Sequence, residues 1–281
     1  MFSSLPAIDI KPFLLEDIGS GDITAAIIPD TLMATAEVIT REPMIVCGQA
    51  WFNAVFAALD NNLTINWLIA EGQQASTNNL LCRLEGTARS LLTGERTALN
   101  LLQTLSSTAT TCRRYADAVS GTSCKILDTR KTIPGLRLAQ KYAVTCGGGY
   151  NHRIGLYDGI LIKENHIIAA GSLTKAVSLA RQQSTVAMVE VEVETLTELQ
   201  QALEAKPDRI MLDNFTLEEL TAAVKLTNGQ IELEASGNIE LHNIAEVAKT
   251  GVDFISIGAL TKNIKAIDLS MRIQLVNPNA E

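Results

Sequence analysis

The sequence predicts an α/β protein in which a mixed first part of sheet and helices precedes a run of parallel βα units. Three observations carry this. Beyond Thr122, short β-branched runs alternate with segments of helical periodicity. Every one of those runs ends in polar or small residues. Before it, apolar runs in ATAEVITRE, MIVCG, LTINWLIA and LLCRLEG have the length and bounds of strands, with only two helical stretches among them.

In the first part, WFNAVFAALD reads as a helix. A long helix follows from about Gly94 to Val119, with Leu99, Leu102 and Leu105 near helical spacing. Gly121 closes it, and a domain boundary is placed at 111/112. In the second part TSCKILD, YDGILIK, VAMVEVEV, RIMLDN, IELEAS and FISIG are the strands. The first five precede helices in PGLRLAQKYAV, SLTKAVSLARQQ, TLTELQQALEA, TLEELTAAVKLT and NIELHNIAEVAKT. Six such units in a row favour closure into a barrel over an open sheet.

Composition narrows the function. Of 281 residues, 47% are hydrophobic and 19% charged, a globular balance. The formal net charge of -8 opposes binding to nucleic acid or an anionic membrane through the overall field. Yet between Lys125 and His166 seven Lys and Arg face three acids, a local charge of +4. Five cysteines without a CxxC pair fit a reducing compartment, and the start MFSSLPAIDI lacks the pattern of a secretory signal. No apolar stretch reaches the roughly 18 residues that span a bilayer. The expected location is cytoplasmic.

Chemistry is expected where the strands end, since α/β barrels build sites from the loops at the carboxyl ends of several strands. These ends read Asp128-Thr129-Arg130-Lys131, Lys163-Glu164-Asn165-His166, Glu192 and Glu194, Asp213-Asn214, Ser236-Gly237-Asn238 and Gly258-Ala259. Arg130 and Lys131 pair a planar fork with a compact charge and suit a polyanion, although a solvated basic turn is the alternative. Gly147-Gly148-Gly149 suggests a loop that approaches a ligand or moves, and His152 and Arg153 beyond it supply donors to an anion. Lys163 suits phosphate or carboxylate, or a Schiff base if desolvated; otherwise it is a snorkelling surface lysine. Glu192 and Asp213 could hold Mg²⁺ or sugar hydroxyls, or serve as structural ion-pair partners. The small pair of ends suits a phosphate held by backbone N–H groups. Gly19 to Thr24 lacks both a preceding strand and dinucleotide-loop spacing. The three histidines and five cysteines lack zinc-ligand spacing.

The stretch LDTRKTIPGLRLAQKYAVTCGGGYNHRIGLYDGILIKENHI resembles the signature of quinolinate phosphoribosyltransferases, the carboxylating nicotinate-nucleotide pyrophosphorylases. EDIGSGDIT, GERTALNLLQTLSSTAT, VEVEVETLTEL, IMLDNF, LEASGNI and FISIGALT follow the family's order across nearly the whole chain. Ile133 stands where a second Thr is common, and Tyr150 where a small residue is usual.

The resemblance implies an N-terminal α/β sandwich-like domain over residues 1–111 and an incomplete, TIM-like α/β barrel over 112–269, the tail 270–281 returning to the first domain. It implies transfer of phosphoribose from phosphoribosyl pyrophosphate to quinolinate with decarboxylation, in a homo-oligomer (dimer or hexamer) with shared sites. By it, Arg130, Arg153 and Lys163 grip quinolinate's carboxylates, with Thr129, Lys131 and His152 close by and Arg96 reaching in from a neighbouring subunit. Lys131, Lys163, Glu192 and Asp213 form the catalytic set. Glu192 and Asp213 hold ribose hydroxyls or Mg²⁺, mostly through the substrate. Ser236, Gly237, Gly258 and Ala259 cradle the 5′-phosphate, and no organic cofactor is needed. The rival readings are a molybdenum-transport-linked pyrophosphorylase-like protein, a Schiff-base aldolase using Lys163, and a non-catalytic phosphate-binding module.

Overall fold

The structure, a computed structural model, describes residues 8–276. Its first elements are α1 (Lys11–Ile18), β1 (Met33–Thr40), β2 (Met44–Ile45), α2 (Gln49–Leu59), β3 (Thr64–Trp67), β4 (Gln74–Ala75), β5 (Leu80–Thr87) and α3 (Ala88–Ala118). The βα series follows as β6 (Lys125–Leu127), α4 (Arg137–Cys146), β7 (Ile160–Ile162), α5 (Glu164–Ala170), α6 (Leu173–Gln183), β8 (Val189–Val193) and α7 (Leu196–Ala205). It continues with β9 (Arg209–Asp213), α8 (Leu217–Thr227), β10 (Glu232–Ser236), α9 (Ile244–Lys249), β11 (Phe254–Ser256), α10 (Ala259–Lys262) and finally β12 (Leu269–Leu275). Two compact units result. The first joins the described residues up to Thr111 with those from Ile264 onward; the second is Cys112–Asn263.

The first unit holds a four-stranded antiparallel sheet in the order β12-β1-β5-β3. Strand β1 alternates strictly, its even-numbered residues from Ala34 to Thr40 buried, the period of a half-buried strand. The chain's end returns here, β12 pairing along β1 from Thr40–Leu269 to Ala34–Leu275; residues 277–281 lie outside the described residues. The return begins before the expected boundary at 269/270. Residues from Ile264 cluster with this unit, where Ser107 Oγ donates to the Lys265 carbonyl and Ile267 N to the Gln103 carbonyl. Helix α3 also starts earlier than Gly94. That glycine is interior, because a Cβ there would lie 2.6 Å from the Phe56 ring of α2, so it marks close helix packing and not a helix start.

In the second unit six parallel strands run in the order β6-β11-β10-β9-β8-β7. Strands β6 and β7, successive in sequence, stand at opposite ends of the order, and among the described residues the outer edge of β6 carries only a single bridge to Tyr150. The barrel is therefore incomplete. Odd-numbered Val189, Val191 and Val193 of β8 and even-numbered Ile210 and Leu212 of β9 pack against Leu199, Ala202, Leu220 and Ala223 of the helices. Successive strand residues face opposite ways, so Glu190, Glu192, Arg209, Met211 and Asp213 are left for the interior. Ser172, Thr195 and Thr216 each accept the N–H three residues on and start α6, α7 and α8.

Three helices were not foreseen: α1, then α5, which begins directly after Lys163, and the one-turn α10. Conversely, the segment from Asn238 is helical only from Ile244. Asn238 is left-handed (φ 51°) and its carbonyl accepts Asn243 Nδ2, so the helix begins only at Ile244.

Candidate active site

The carboxyl ends of the strands surround a cavity of about 410 Å³ within the barrel unit. Beyond β6 stand Thr129, Arg130 and Lys131, and from the α4–β7 connection His152 and Arg153. Strands β7 to β11 add Leu161 and Lys163, Glu192, Met211 and Asp213, Glu234 and Ser236, and Ser256. Nine of the side chains singled out in the sequence thus share one cavity: Thr129, Arg130, Lys131, His152, Arg153, Lys163, Glu192, Asp213 and Ser236.

Four others stand apart from its lining. Gly237 faces away: its φ is +92°, and a Cβ there would lie 2.2 Å from Asn214 Oδ1. Gly258 and Ala259 begin α10, and a Cβ on Gly258 would press on Lys131 Cδ at 3.0 Å. That glycine clears a path for the lysine side chain. Arg96 is exposed on α3 in the other unit.

A buried ion pair anchors the loop that presents His152 and Arg153. Asp128 and Lys141, both with fully buried side chains, contact each other directly. Asp128 also accepts from Asn151 Nδ2 at 2.6 Å and from the His152 backbone N–H at 2.9 Å, while Lys141 Nζ donates to the His152 carbonyl at 3.1 Å. Burial pushes the Asp128 carboxyl up and the Lys141 ammonium down, and each restrains the other's shift as counter-ion. The glycine run before this loop works differently from the expected ligand-approaching segment. Gly147 caps α4, Gly148 is left-handed (φ 90°), and a Cβ on Gly149 would meet Cys112 Sγ at 2.6 Å. These glycines turn and pack the chain; none lines the cavity.

At the mouth, Lys163 Nζ contacts Glu192, and Arg153 Nη1 reaches the Gly159 carbonyl at 3.3 Å. Burial first, then the nearby Arg130 charge, pulls the Arg153 guanidinium below its ordinary value. A guanidinium stays protonated regardless, so the crowding of cations is a standing attraction for an anion.

Beneath this layer lies a group that sequence reasoning missed. Glu190 and Glu234 are essentially fully buried, Glu190 Oε2 2.8 Å and Glu234 Oε2 3.5 Å from His152 Nε2. Arg209 stands 3.4 Å from Glu234 with its guanidinium 3.8 Å above the Phe254 ring. Burial, reinforced by Glu190, raises the Glu234 carboxyl to about 8, and burial also raises Glu190. His152, Glu190 and Glu234 are close enough to surround an ion. However, His152 Nδ1 accepts the Arg153 N–H at 2.7 Å, which assigns the ring proton to Nε2, the nitrogen nearer the acids. The missed signal was parity: in VEVEV, Glu190 shares a face with Glu192, and Arg209 and Glu234 share theirs with Asp213 and Ser236.

The arrangement offers cations for a multiply anionic ligand, two acids at the rim, and small residues at the last two strand ends. Comparison with known proteins agrees with that reading. Residues 22–106 match the N-terminal domain, and residues 108–272 the C-terminal domain, of quinolinate phosphoribosyl transferase. The chain is 43% identical over 273 residues to a probable carboxylating nicotinate-nucleotide pyrophosphorylase of Bacillus subtilis, covering 97% of this chain and 94% of that one. A decarboxylating quinolinate phosphoribosyltransferase of Nicotiana tabacum is 40% identical over 95% of this chain and 83% of its own. The solved nicotinate-nucleotide pyrophosphorylase of Francisella tularensis superposes with a TM-score of 0.92 at 53% identity, covering 94% of each chain. With both domains matched and the cavity assembled from residues of the signature, the chain belongs to the quinolinate phosphoribosyltransferase family.

Proposed function

We propose that this protein transfers phosphoribose from 5-phosphoribosyl 1-pyrophosphate to quinolinate, releasing pyrophosphate and carbon dioxide and leaving nicotinate mononucleotide. The observation that carries the reading is one cavity in which Arg130, Lys131, Arg153 and Lys163 face Glu192 and Asp213. A dicarboxylate and a phosphorylated sugar together need that many cations, and a ribose developing positive charge needs the acids.

Arg130, Arg153 and Lys163 hold the two carboxylates, and Lys131, given room by Gly258, meets phosphate oxygens. Ser236 is the member of the 5′-phosphate cradle that lines the cavity, with the backbone of Gly237, Gly258 and Ala259 beside it. The pyridine nitrogen forms the bond to ribose C1 as the C1–oxygen bond breaks and pyrophosphate leaves with the electron pair. The ring nitrogen is then cationic. The bond to the adjacent carboxyl breaks, its electrons pass to the ring carbon, carbon dioxide departs, and that carbon takes a proton.

Glu192 and Asp213 also suit a Mg²⁺ ion brought in on the pyrophosphate, because two carboxylates plus substrate oxygens are the usual Mg²⁺ donor set. Bound there, the ion would neutralise charge on the departing pyrophosphate. Glu192 is shared with Lys163, which leaves Asp213 the more available donor. The reading includes a homo-oligomer in which Arg96 of one copy completes the site of another, and a cytoplasmic location. Among the described residues no helix is long and apolar enough to cross a membrane.

A Schiff-base aldolase is disfavoured because Lys163 is nearly half exposed and ion-paired, whereas an amine nucleophile requires desolvation. The test is release of carbon dioxide and nicotinate mononucleotide from quinolinate, phosphoribosyl pyrophosphate and Mg²⁺, with nicotinate as control. Turnover of quinolinate alone supports the proposal. Turnover of neither substrate by folded protein sinks it in favour of the molybdenum-linked relative, and borohydride trapping of a ketone on Lys163 would favour the aldolase.

A further inference from the structure

The wall between the last two interior strand ends is built around Asn214. Its backbone N–H donates to the Ser236 carbonyl at 2.8 Å, which carries the pairing with β10 one residue past the end of β9. Its side-chain Nδ2 donates to Asp213 Oδ2 at 2.8 Å. Its Oδ1 accepts from Asn238 Nδ2 at 3.0 Å, and the Asn238 carbonyl in turn accepts from Asn243 Nδ2 at 3.1 Å. One carboxamide therefore holds the acid at the end of β9 and the loop after β10.

The backbone is committed to this arrangement. Asn214, Gly237 and Asn238 all have positive φ, at 59°, 92° and 51°, a conformation that Gly and Asn adopt at least cost. Gly237 is packed so tightly on Asn214 that a Cβ would lie 2.2 Å from Oδ1 and 3.0 Å from the backbone nitrogen. Asn214 does not line the main cavity, whereas Asp213 and Ser236 do. It faces instead a second cavity of about 220 Å³ behind the wall, shared with Ser236, Gly237 and Asn238.

We propose that Asn214 is a positioning residue for the phosphoribosyl half of the site: by bonding both Asp213 and Asn238 it fixes the distance between the acid that meets the ribose and the loop that takes the 5′-phosphate. The proposal rests on the function argued above. It makes a selective prediction, because the groups assigned to the pyridine dicarboxylate (Arg130, Arg153 and Lys163) belong to the loop after β6, the α4–β7 connection and the end of β7, whereas the Asn214 side chain bonds Asp213 and Asn238.

The experiment measures kcat and both KM values, together with equilibrium binding of phosphoribosyl pyrophosphate and Mg²⁺, for wild type, Asn214→Gly, Asn214→Asp and Gly237→Ala. Glycine keeps the left-handed backbone and removes only the carboxamide. Asn214→Gly is expected to raise the KM and Kd for phosphoribosyl pyrophosphate about tenfold, the effect of losing one or two hydrogen bonds, one to a carboxylate. The KM for quinolinate should stay within about twofold. Asn214→Asp should fare worse despite its shape, since it cannot donate to Asp213 and sets two carboxylates side by side. Gly237→Ala should reproduce the same selectivity by displacing the carboxamide. An unchanged KM for phosphoribosyl pyrophosphate, or equal loss for both substrates, in a folded Asn214→Gly or Gly237→Ala protein overturns the proposal. A wild-type protein that turns over no quinolinate overturns the functional reading instead, and is seen in that arm alone.

Discussion

Asp128→Asn tests whether the buried ion pair under the mouth is held by charge. The substitution keeps the shape of the side chain and removes its negative charge. Lys141, fully buried, then has an amide and the His152 carbonyl for partners. An ammonium stranded in this way loses its proton. Releasing it at pH 7 from a group that ordinarily titrates at 10.5 costs about 5 kcal/mol at the standard rate per pH unit, in line with the roughly 3–5 kcal/mol typical of breaking a buried pair. The loss should appear as a lower urea midpoint of the barrel's unfolding at pH 7. It should shrink by about 1.4 kcal/mol for each unit that pH is raised towards 10, because deprotonating the lysine becomes cheaper. Asp128→Asn with Lys141→Met should recover a large part of the loss, since an apolar replacement of a buried pair is often near neutral. A penalty below about 1 kcal/mol, or one equal at pH 7 and pH 9.5, would refute the electrostatic account.

Three further outcomes follow from the same geometry. Glu234 keeps its proton in the folded chain up to about 8 but ionises near 4.5 when unfolded, so the folded state binds more protons between those values and stability falls as pH rises through them. Glu234→Gln should flatten that limb of a thermal-midpoint profile between pH 5 and 8; identical slopes in both proteins would sink the assignment. Gly149→Ala should destabilise by about 1–3 kcal/mol, since its Cβ would lie 2.6 Å from Cys112 Sγ and 2.9 Å from Val144 Cγ1, read from the same urea midpoint, with a neutral result refuting the packing role. Arg153→Met should lower kcat/KM for quinolinate by about tenfold to a hundredfold, the loss of a charge-assisted carboxylate contact, and a Kd for phosphoribosyl pyrophosphate that weakens equally would count against its assignment to the dicarboxylate.

The parallel architecture was legible because its signals are local. A β-branched run such as RIMLD and a capped amphipathic helix such as TLEELTAAVKLT each declare themselves within a dozen residues. Charges at the strand ends were legible for a related reason: a polar residue that stops an apolar run stands out. What stayed hidden depends on pairs distant in sequence. Gly94 and Gly149 look like flexible points in the chain, and only the Phe56 ring and Cys112 Sγ show that they are contact points. Lys141 sits in a helical stretch where an exposed cation is the default reading, and its burial follows from Asp128, 13 residues earlier. The full extent of α3 was likewise hidden, because Gly94 passes for a helix start until α2 is packed on it.

The buried acids show why the mouth can be so basic without a ligand. Four cations there are met by Glu192 and Asp213 alone at the same level. A guanidinium as confined as that of Arg153 needs compensation from below, since its burial and the Arg130 charge both oppose it. Glu190 supplies it: the Glu190 and Arg153 charges favour one another. Glu234 cannot add a second charge at neutral pH, because burial and Glu190 hold its proton in place, and Arg209 balances what negative charge remains. The interior thus carries enough negative charge to retain the cations and too little to neutralise them. That residual positive field is what a dicarboxylate and a phosphorylated sugar would bring to balance, with the rim acids left to face the ribose.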